Sequence, residues 1–146
     1  MNIHLRPVDT SNERYIVKLA VAPCQSRFVF TNAQIMAEVK NGSGMCALAV
    51  YNNDEPIGLM AYAVERNSIG LWRFMIDSKH QNCGYGTEAL KLFTHEMNDK
   101  YPQYTIFTTV STQNSQAYGM YQKAGYKSSG KYAGEEEVLE YQPPKL

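Results

Sequence analysis

Little in this chain commits it to an unusual environment. Its three cysteines, Cys24, Cys46 and Cys83, are widely separated and form no C-x-x-C pair, so neither a disulfide framework nor a zinc knuckle is expected. His4, His80 and His95 are equally scattered, and no metal site is predicted. The formal net charge is +0, with no basic stripe or acidic tail, which argues against nucleic acid as a partner. The longest apolar runs are strand-length, too short for a membrane span. The first residues lack the charged-then-apolar pattern of a leader, so a cytoplasmic protein is expected. What is present, 44% hydrophobic and 19% charged residues in 146, suits one domain, residues 1–146, around a single core.

The stretch Ile69 to Glu96 is the most informative. Leu71, Trp72, Phe74, Met75 and Ile76 form an apolar, aromatic run that predicts a buried strand, closed by Asp77 and Ser78. Gln81-Asn82-Cys83-Gly84-Tyr85-Gly86-Thr87 follows, and Ala89, Leu90, Phe93 and Met97 then recur on one helical face. A helix start leaves backbone N–H donors without internal partners, and its dipole favours negative charge. Glycines let an anion approach the main chain, so the turn predicts a diphosphate seat. A plain helix start with glycines for close packing is the simpler alternative. Gly84-Tyr85-Gly86-Thr87-Glu88-Ala89 also satisfies the dinucleotide fingerprint G-x-G-x-x-G/A. The following strand, however, ends in Ser111-Thr112-Gln113, where that fingerprint wants an acidic residue. Cys83 beside a helix start could be activated, but no nucleophile pattern surrounds it.

Along the rest of the chain, Ile3 to Val8 alternates as an edge strand. Tyr15, Ile16, Leu19 and Ala20 give a helical stripe reaching towards Pro23, and Thr31 to Lys40 gives a second helix. Met45–Tyr51 and Ile57–Val64 form a hairpin around Asn52 to Pro56. Tyr104 to Val110 is β-branched and strand-like, Asn114 to Ala124 is helical and closed by Gly125, and Tyr126–Tyr132 with Glu136–Tyr141 makes a last hairpin. Gln142 to Leu146 reads as a loose tail. The order β-α-α-β-β-β-α-β-α-β-β predicts an α+β domain with helices flanking a mixed sheet.

This order, with Gln81-Asn82-Cys83-Gly84-Tyr85-Gly86 as R/Q-x-x-G-x-G/A, resembles the GCN5-related N-acetyltransferase (GNAT) superfamily. Asn114 to Tyr126 resembles that family's later motif, N-x-x-A-x-x-x-Y-x-K-x-G-[FY]. Gln25-x-x-Phe28-Val29-x-x-Asn32 and Arg73-Phe74-Met75-Ile76-Asp77 are similar to the bacterial spermine/spermidine (diamine) acetyltransferase branch. That branch usually has Gly-Lys where this chain has Asn82-Cys83, so a weaker hold on phosphate is expected.

The resemblance implies an acetyl-CoA-dependent N-acetyltransferase acting on a primary amine of a small molecule, with a polyamine or diamine the foremost acceptor. Aminoglycoside-type or peptide-amine acetylation, and a catalytically silent acyl-CoA-binding module, are the alternatives. It further implies that Phe74, Met75 and Ile76 lend backbone groups to the pantetheine arm and to the oxyanion. Gln81, Asn82, Cys83, Gly84, Tyr85, Gly86 and Thr87 would seat the pyrophosphate, Asn114 would contact the arm, and Lys123 could meet a phosphate. Tyr121 would be the general acid, although Ala117, Met120, Tyr121 and Ala124 also form an ordinary core stripe. The base is left open among Glu65, Asp77, Glu88 and a water relay. Glu13, Glu38 and Glu135-Glu136-Glu137 are further acidic groups that could face a polycation. Fold-level analogy suggests a homodimer.

Overall fold

The computed structural model describes residues 1–144; Lys145 and Leu146, the end of the expected tail, lie outside the described residues. The strands are β1 (Ile3–Pro7), β2 (Cys46–Asn52), β3 (Glu55–Glu65), β4 (Ser68–Ile76), β5 (Thr105–Ser111), β6 (Lys127–Ala133) and β7 (Glu136–Tyr141). The helices are α1 (Glu13–Ile16), α2 (Asn32–Lys40), α3 (Tyr85–Lys100) and α4 (Ser115–Lys123), with short 3-10 turns at Pro23–Phe28 and Ser78–His80. One seven-stranded sheet runs β1-β2-β3-β4-β5-β7-β6. Every neighbouring pair is antiparallel except β4 and β5, which are parallel. The expected α+β architecture is therefore present. A single parallel pair is incompatible with the repeated parallel crossovers of a dinucleotide-binding domain.

Each sheet face has its own apolar layer. Ala89, Leu90, Phe93 and Met97 of α3 and Tyr121 of α4 pack with Val50, Met60, Leu71 and Ile106 on one face. Ile16 of α1 and Ile35 and Met36 of α2 pack with Ala49, Leu59 and Met75 on the other. Phe93 is fully buried and meets the edge of Tyr62 at 5.4 Å. Burying a ring of that size stabilises the fold by about 1.5–3 kcal/mol.

The first helix is shorter than its apolar stripe suggests. After Ile16 the chain is drawn flat against the end of β4: the Ala20 amide donates to Asp77 Oδ1 at 2.9 Å, and the Ser78 amide donates to the Ala20 carbonyl at 2.8 Å. Those bonds use backbone groups that a longer helix would need internally. Thr31 caps α2 as expected, accepting from the Gln34 amide at 3.2 Å while Gln34 returns the bond to the Thr31 amide.

The central feature is a wedge in the sheet. β4 and β5 pair only from Ser68↔Thr105 to Leu71↔Thr108. Beyond that point the β3–β4 register slips, passing from Tyr62↔Leu71 to Ala61↔Arg73, so Trp72 is an extra residue in β4. Such a bulge bends its strand and strengthens its twist. Here it turns Arg73 to Ile76 away from Thr109 to Ser111 and leaves the two facing strand edges unpaired.

Candidate active site

Two cavities meet at this wedge. The larger, about 550 Å³, is walled by Phe74, Met75 and Ile76 of β4, the turn and first helical residues from His80 to Thr87, the α4 face from Asn114 to Lys123, and Val21, Gln25, Phe28 and Val29. The smaller, about 220 Å³, is bounded by Phe28 to Phe30, Trp72 to Met75, Thr108 to Ser111, Tyr121 and Glu136. Phe28, Val29, Phe74, Met75, Asn114 and Ala117 border both, so the two spaces adjoin across the opening between β4 and β5.

The turn after β4 presents its main chain to the larger cavity. Gly84 caps α3 with φ +82, a left-handed conformation that an L side chain adopts only with strain. α3 then starts at Tyr85, and its first internal bond runs from the Glu88 amide to the Gly84 carbonyl. Among the described residues, no amide from Gln81 to Thr87 donates to a protein acceptor. This is the donor set that an anion at a helix start requires. Gly86 borders the cavity and also packs against α4. A Cβ there would lie 2.9 Å from Met120 Sδ, so this glycine lets α3 approach α4 closely.

The predicted seat residues take distinct parts. The Gln81 side-chain amide donates to the Ile76 carbonyl at 2.8 Å and staples the turn to β4. Asn82 has φ 62 and accepts from Gln116 Nε2 at 3.3 Å. Cys83 is exposed and outside the cavity wall, with Sγ 3.4 Å from the Gln81 carbonyl. The Tyr85 hydroxyl receives a bond from Asn52 at 3.3 Å, and Thr87 borders the cavity. Asn114 caps α4, its Oδ1 accepting from the Ala117 amide at 3.3 Å, with its side chain on the wall of both cavities. Lys123 stands exposed on the rim, with no carboxylate partner among the described residues.

Tyr121 is packed as a core residue and also borders a cavity. It is only 6% exposed and its ring meets Tyr126 edge-on at 5.6 Å, as a core residue would. It nevertheless lines the smaller cavity. The phenol oxygen lies 3.3 Å from Thr108 Oγ1, which also donates to the Leu71 carbonyl at 2.8 Å. Thr108 has one hydroxyl proton, and the Leu71 carbonyl and the Tyr121 phenol oxygen are its two acceptors. Leu71 and Thr108 are the last paired residues of β4 and β5, so the phenol sits at the apex of the wedge. Burial pushes its pKa up to about 12; the Thr108 contact opposes the rise and the Glu136 charge adds to it.

The acidic candidates separate clearly. Glu65 is exposed at the end of β3 remote from the wedge, and Glu88 is exposed on α3. Asp77 is occupied by the Ala20 amide, and Glu13 pairs with Lys40. Glu38 accepts a two-pronged bond from Arg73, at 3.0 Å from Nε and 3.0 Å from Nη2. None of these carboxylates borders either cavity. Sequence reasoning missed the smaller cavity as a unit and the Gln25–Gln116–Asn82 chain of side-chain amides. Gln25, Phe28, Val29 and Arg73 had drawn notice only through the diamine-branch likeness. Asn32 of the same pattern is buried and donates to the Ile16 carbonyl at 2.8 Å, tying α2 to α1. Among the described residues no group of His, Cys, Asp and Glu is arranged to hold a metal ion, and no helix is long and apolar enough to cross a membrane.

Residues 20–126, which contain the wedge, the turn and both motifs, match the family model described as the Acetyltransferase (GNAT) family. The chain belongs to the GNAT family. It is an N-acetyltransferase that uses acetyl-CoA. A curated relative, the spermine/spermidine N(1)-acetyltransferase of Bacillus subtilis (strain 168), is 24% identical over 138 residues, covering 89% of this chain and 91% of the relative. The PaiA N-acetyltransferase of Thermoplasma acidophilum, solved with coenzyme A, superposes with a TM-score of 0.74 at 15% identity, over 97% of this chain and 99% of that one. Aminoglycoside acetyltransferase AAC(6')-Ib, solved with coenzyme A and kanamycin, gives a TM-score of 0.80 at 17% identity, over 97% and 95% of the two chains. At these identities the structural likenesses establish that this GNAT enzyme shares their fold.

The larger cavity suits acetyl-CoA: its volume lies within the range of roughly 300–1,000 Å³ usual for small-molecule sites, and a row of unbonded amides borders it. The bound thioester supplies the activated acetyl group.

Proposed function

We propose that this enzyme acetylates a primary amine of a small, flexible polyamine or diamine. The observation that carries the reading is the adjoining pair of cavities, with a buried, protonated tyrosine at the apex between them. The amides from Gln81 to Thr87 hold the diphosphate, and Lys123 meets a further phosphate at the rim. Phe74 to Ile76, unpaired towards β5, offer backbone groups to the arm and to the developing oxyanion, and Asn114 orients the arm. The amine enters from the smaller cavity. Holding both reactants on one opening converts a bimolecular attack into a local one. Tyr121, protonated at any physiological pH, donates its proton to the departing sulfur.

The size and walls of the smaller cavity support a slim acceptor. About 220 Å³ is below the range for drug-sized ligands, and Phe28, Phe30, Trp72 and Phe74 line it with apolar surface suited to a methylene chain. An aminoglycoside has several rings and fits less well. The kinship with the Bacillus subtilis spermine/spermidine enzyme points the same way. The reaction is assigned to the cytoplasm, in keeping with three unpaired cysteines among the described residues. A homodimer is part of the proposal by fold-level analogy, and sedimentation measures it.

A thiol-release assay with acetyl-CoA and a panel of spermine, spermidine, diamines, aminoglycosides and peptide amines tests the acceptor. Turnover led by the linear amines is expected. Turnover only on aminoglycosides or peptides overturns the polyamine assignment. Thermal stabilisation by coenzyme A with no turnover on any amine leaves an acyl-CoA-binding module instead.

A further inference from the structure

Three consecutive glutamates open the last strand, and the fold gives each a different setting. Glu135 is exposed at the turn before β7. Glu137 is buried, and both of its oxygens are taken: Tyr118 donates to Oε2, and Tyr132 donates to Oε1 at 3.1 Å. Glu136 is half-buried, pairs with Ser111 across β5 and Ala133 across β6, and borders the smaller cavity. Among the described residues its carboxylate has no hydrogen-bond or ion-pair partner.

The other ionic group on that cavity wall is Arg73, and it is already satisfied. Its guanidinium is forked onto Glu38, donates to the Trp72 carbonyl at 2.9 Å, and stacks over Phe30 at 4.4 Å. Glu136 is therefore the uncompensated charge of a cavity otherwise walled by aromatic, aliphatic and uncharged polar side chains and the paired Arg73. A carboxylate partly removed from water and left unpaired is costly unless a cation or a hydrogen-bond donor joins it. It lines the same cavity as Tyr121, and its charge adds to the upward shift of that phenol's pKa.

The geometry points to Glu136 as the residue that recognises the acceptor, its carboxylate seating an ammonium group of the incoming amine beside the apex of the wedge. This rests on the acetyltransfer reading of the two cavities and adds the residue that selects a cationic acceptor. Phe74 and Trp72 flank the same space and suit the methylenes next to that ammonium. Glu137, although adjacent in sequence, is excluded because its oxygens are already bound.

Steady-state kinetics on the wild type, Glu136→Gln, Glu136→Asp and Glu135→Gln test this, with the Michaelis constants for spermidine and acetyl-CoA measured separately. Glu136→Gln keeps the shape and removes the charge. It is expected to raise the spermidine KM about 10- to 100-fold. The acetyl-CoA KM should stay within about two-fold and the melting temperature within about 2 °C. Glu136→Asp should recover part of the loss, and Glu135→Gln should match the wild type. An unchanged spermidine KM in Glu136→Gln, or a parallel rise in the acetyl-CoA KM, overturns the assignment. Should the wild type turn over no amine, the acetyltransfer reading fails by itself. Calorimetric binding of spermidine to the coenzyme A-loaded protein then decides for Glu136: binding that Glu136→Gln abolishes sustains the role, and binding indifferent to the substitution, or absent in the wild type, removes it.

Discussion

The two cavities that share the wedge are built from different material. The larger includes, beside its side-chain walls, a stretch of main chain: amides from one contiguous turn, one left-handed glycine and a helix start. The smaller is made of side chains brought from the Pro23–Phe28 turn and its exit, β4, β5, α4 and β7. A main-chain seat recognises a diphosphate, which every acyl-CoA shares, and tolerates side-chain change at Asn82 or Cys83. A side-chain cavity recognises the part of the reaction that differs between relatives, and each wall residue is open to substitution. Such a protein can keep its donor while changing its acceptor.

The largest effect that would sharpen this contrast is expected at the apex. Tyr121→Phe keeps the buried ring and removes only the proton donor. It should lower kcat by about 10²- to 10³-fold while coenzyme A still raises the melting temperature as in the wild type. A loss of that stabilisation would show that the apex belongs to the donor seat. Next is Gly84→Val, which forces a β-branched residue into φ +82. Strain of about 1–2 kcal/mol should distort the turn and weaken coenzyme A binding by roughly 10-fold. Calorimetry showing unchanged affinity would mean that the main chain does not make the seat.

A titration gives a third check. The folded Tyr121 pKa is raised from 10.0 to about 12, chiefly by burial. Its contribution to stability is therefore fully present below pH 10, the unfolded value, and is lost as pH rises through about 12. The loss is on the order of 2–3 kcal/mol. Urea unfolding at pH 9 and pH 12 should show a larger drop for the wild type than for Tyr121→Phe, and equal drops would place the phenol in a wetter setting. The smallest effect is a gain: Cys83→Lys, adding a cation beside the seat, should lower the acetyl-CoA KM about 2- to 5-fold. A rise would mean that the exposed Cys83 position faces away from the phosphates.

The same contrast explains what was legible in the sequence. Gln81 to Thr87 and Asn114 to Lys123 are contiguous, and their glycines and polar caps carry the backbone requirement locally, so the turn, both helices and the succession of elements along the chain could be read directly. The length of α1 could not. Its end is set by the bonds that join Ala20 to Asp77 and Ser78, far along the chain. Nor could Glu136 be told from Glu135 and Glu137: three identical side chains differ only in what β5, α4 and β6 place against them. The close approach of Gly86 to Met120 could not be read either, because it depends on how α4 packs against α3.

The residue inserted at Trp72 also shifts the frame in which β4 is read. Before it, the odd-numbered Ile69 and Leu71 lie on the α3 face; after it, the even-numbered Phe74 and Ile76 take that face, and Met75 turns towards α2. Loss of Trp72 would leave Tyr62↔Leu71 followed by Ala61↔Arg73 as a regular ladder, with Phe74 and Ile76 still on the α3 face and Met75 still towards α2. What would go is the bend, and with it the opening between β4 and β5. Changes of amino acid along this strand can retune the acceptor one side chain at a time, whereas a change of length here removes the room it needs.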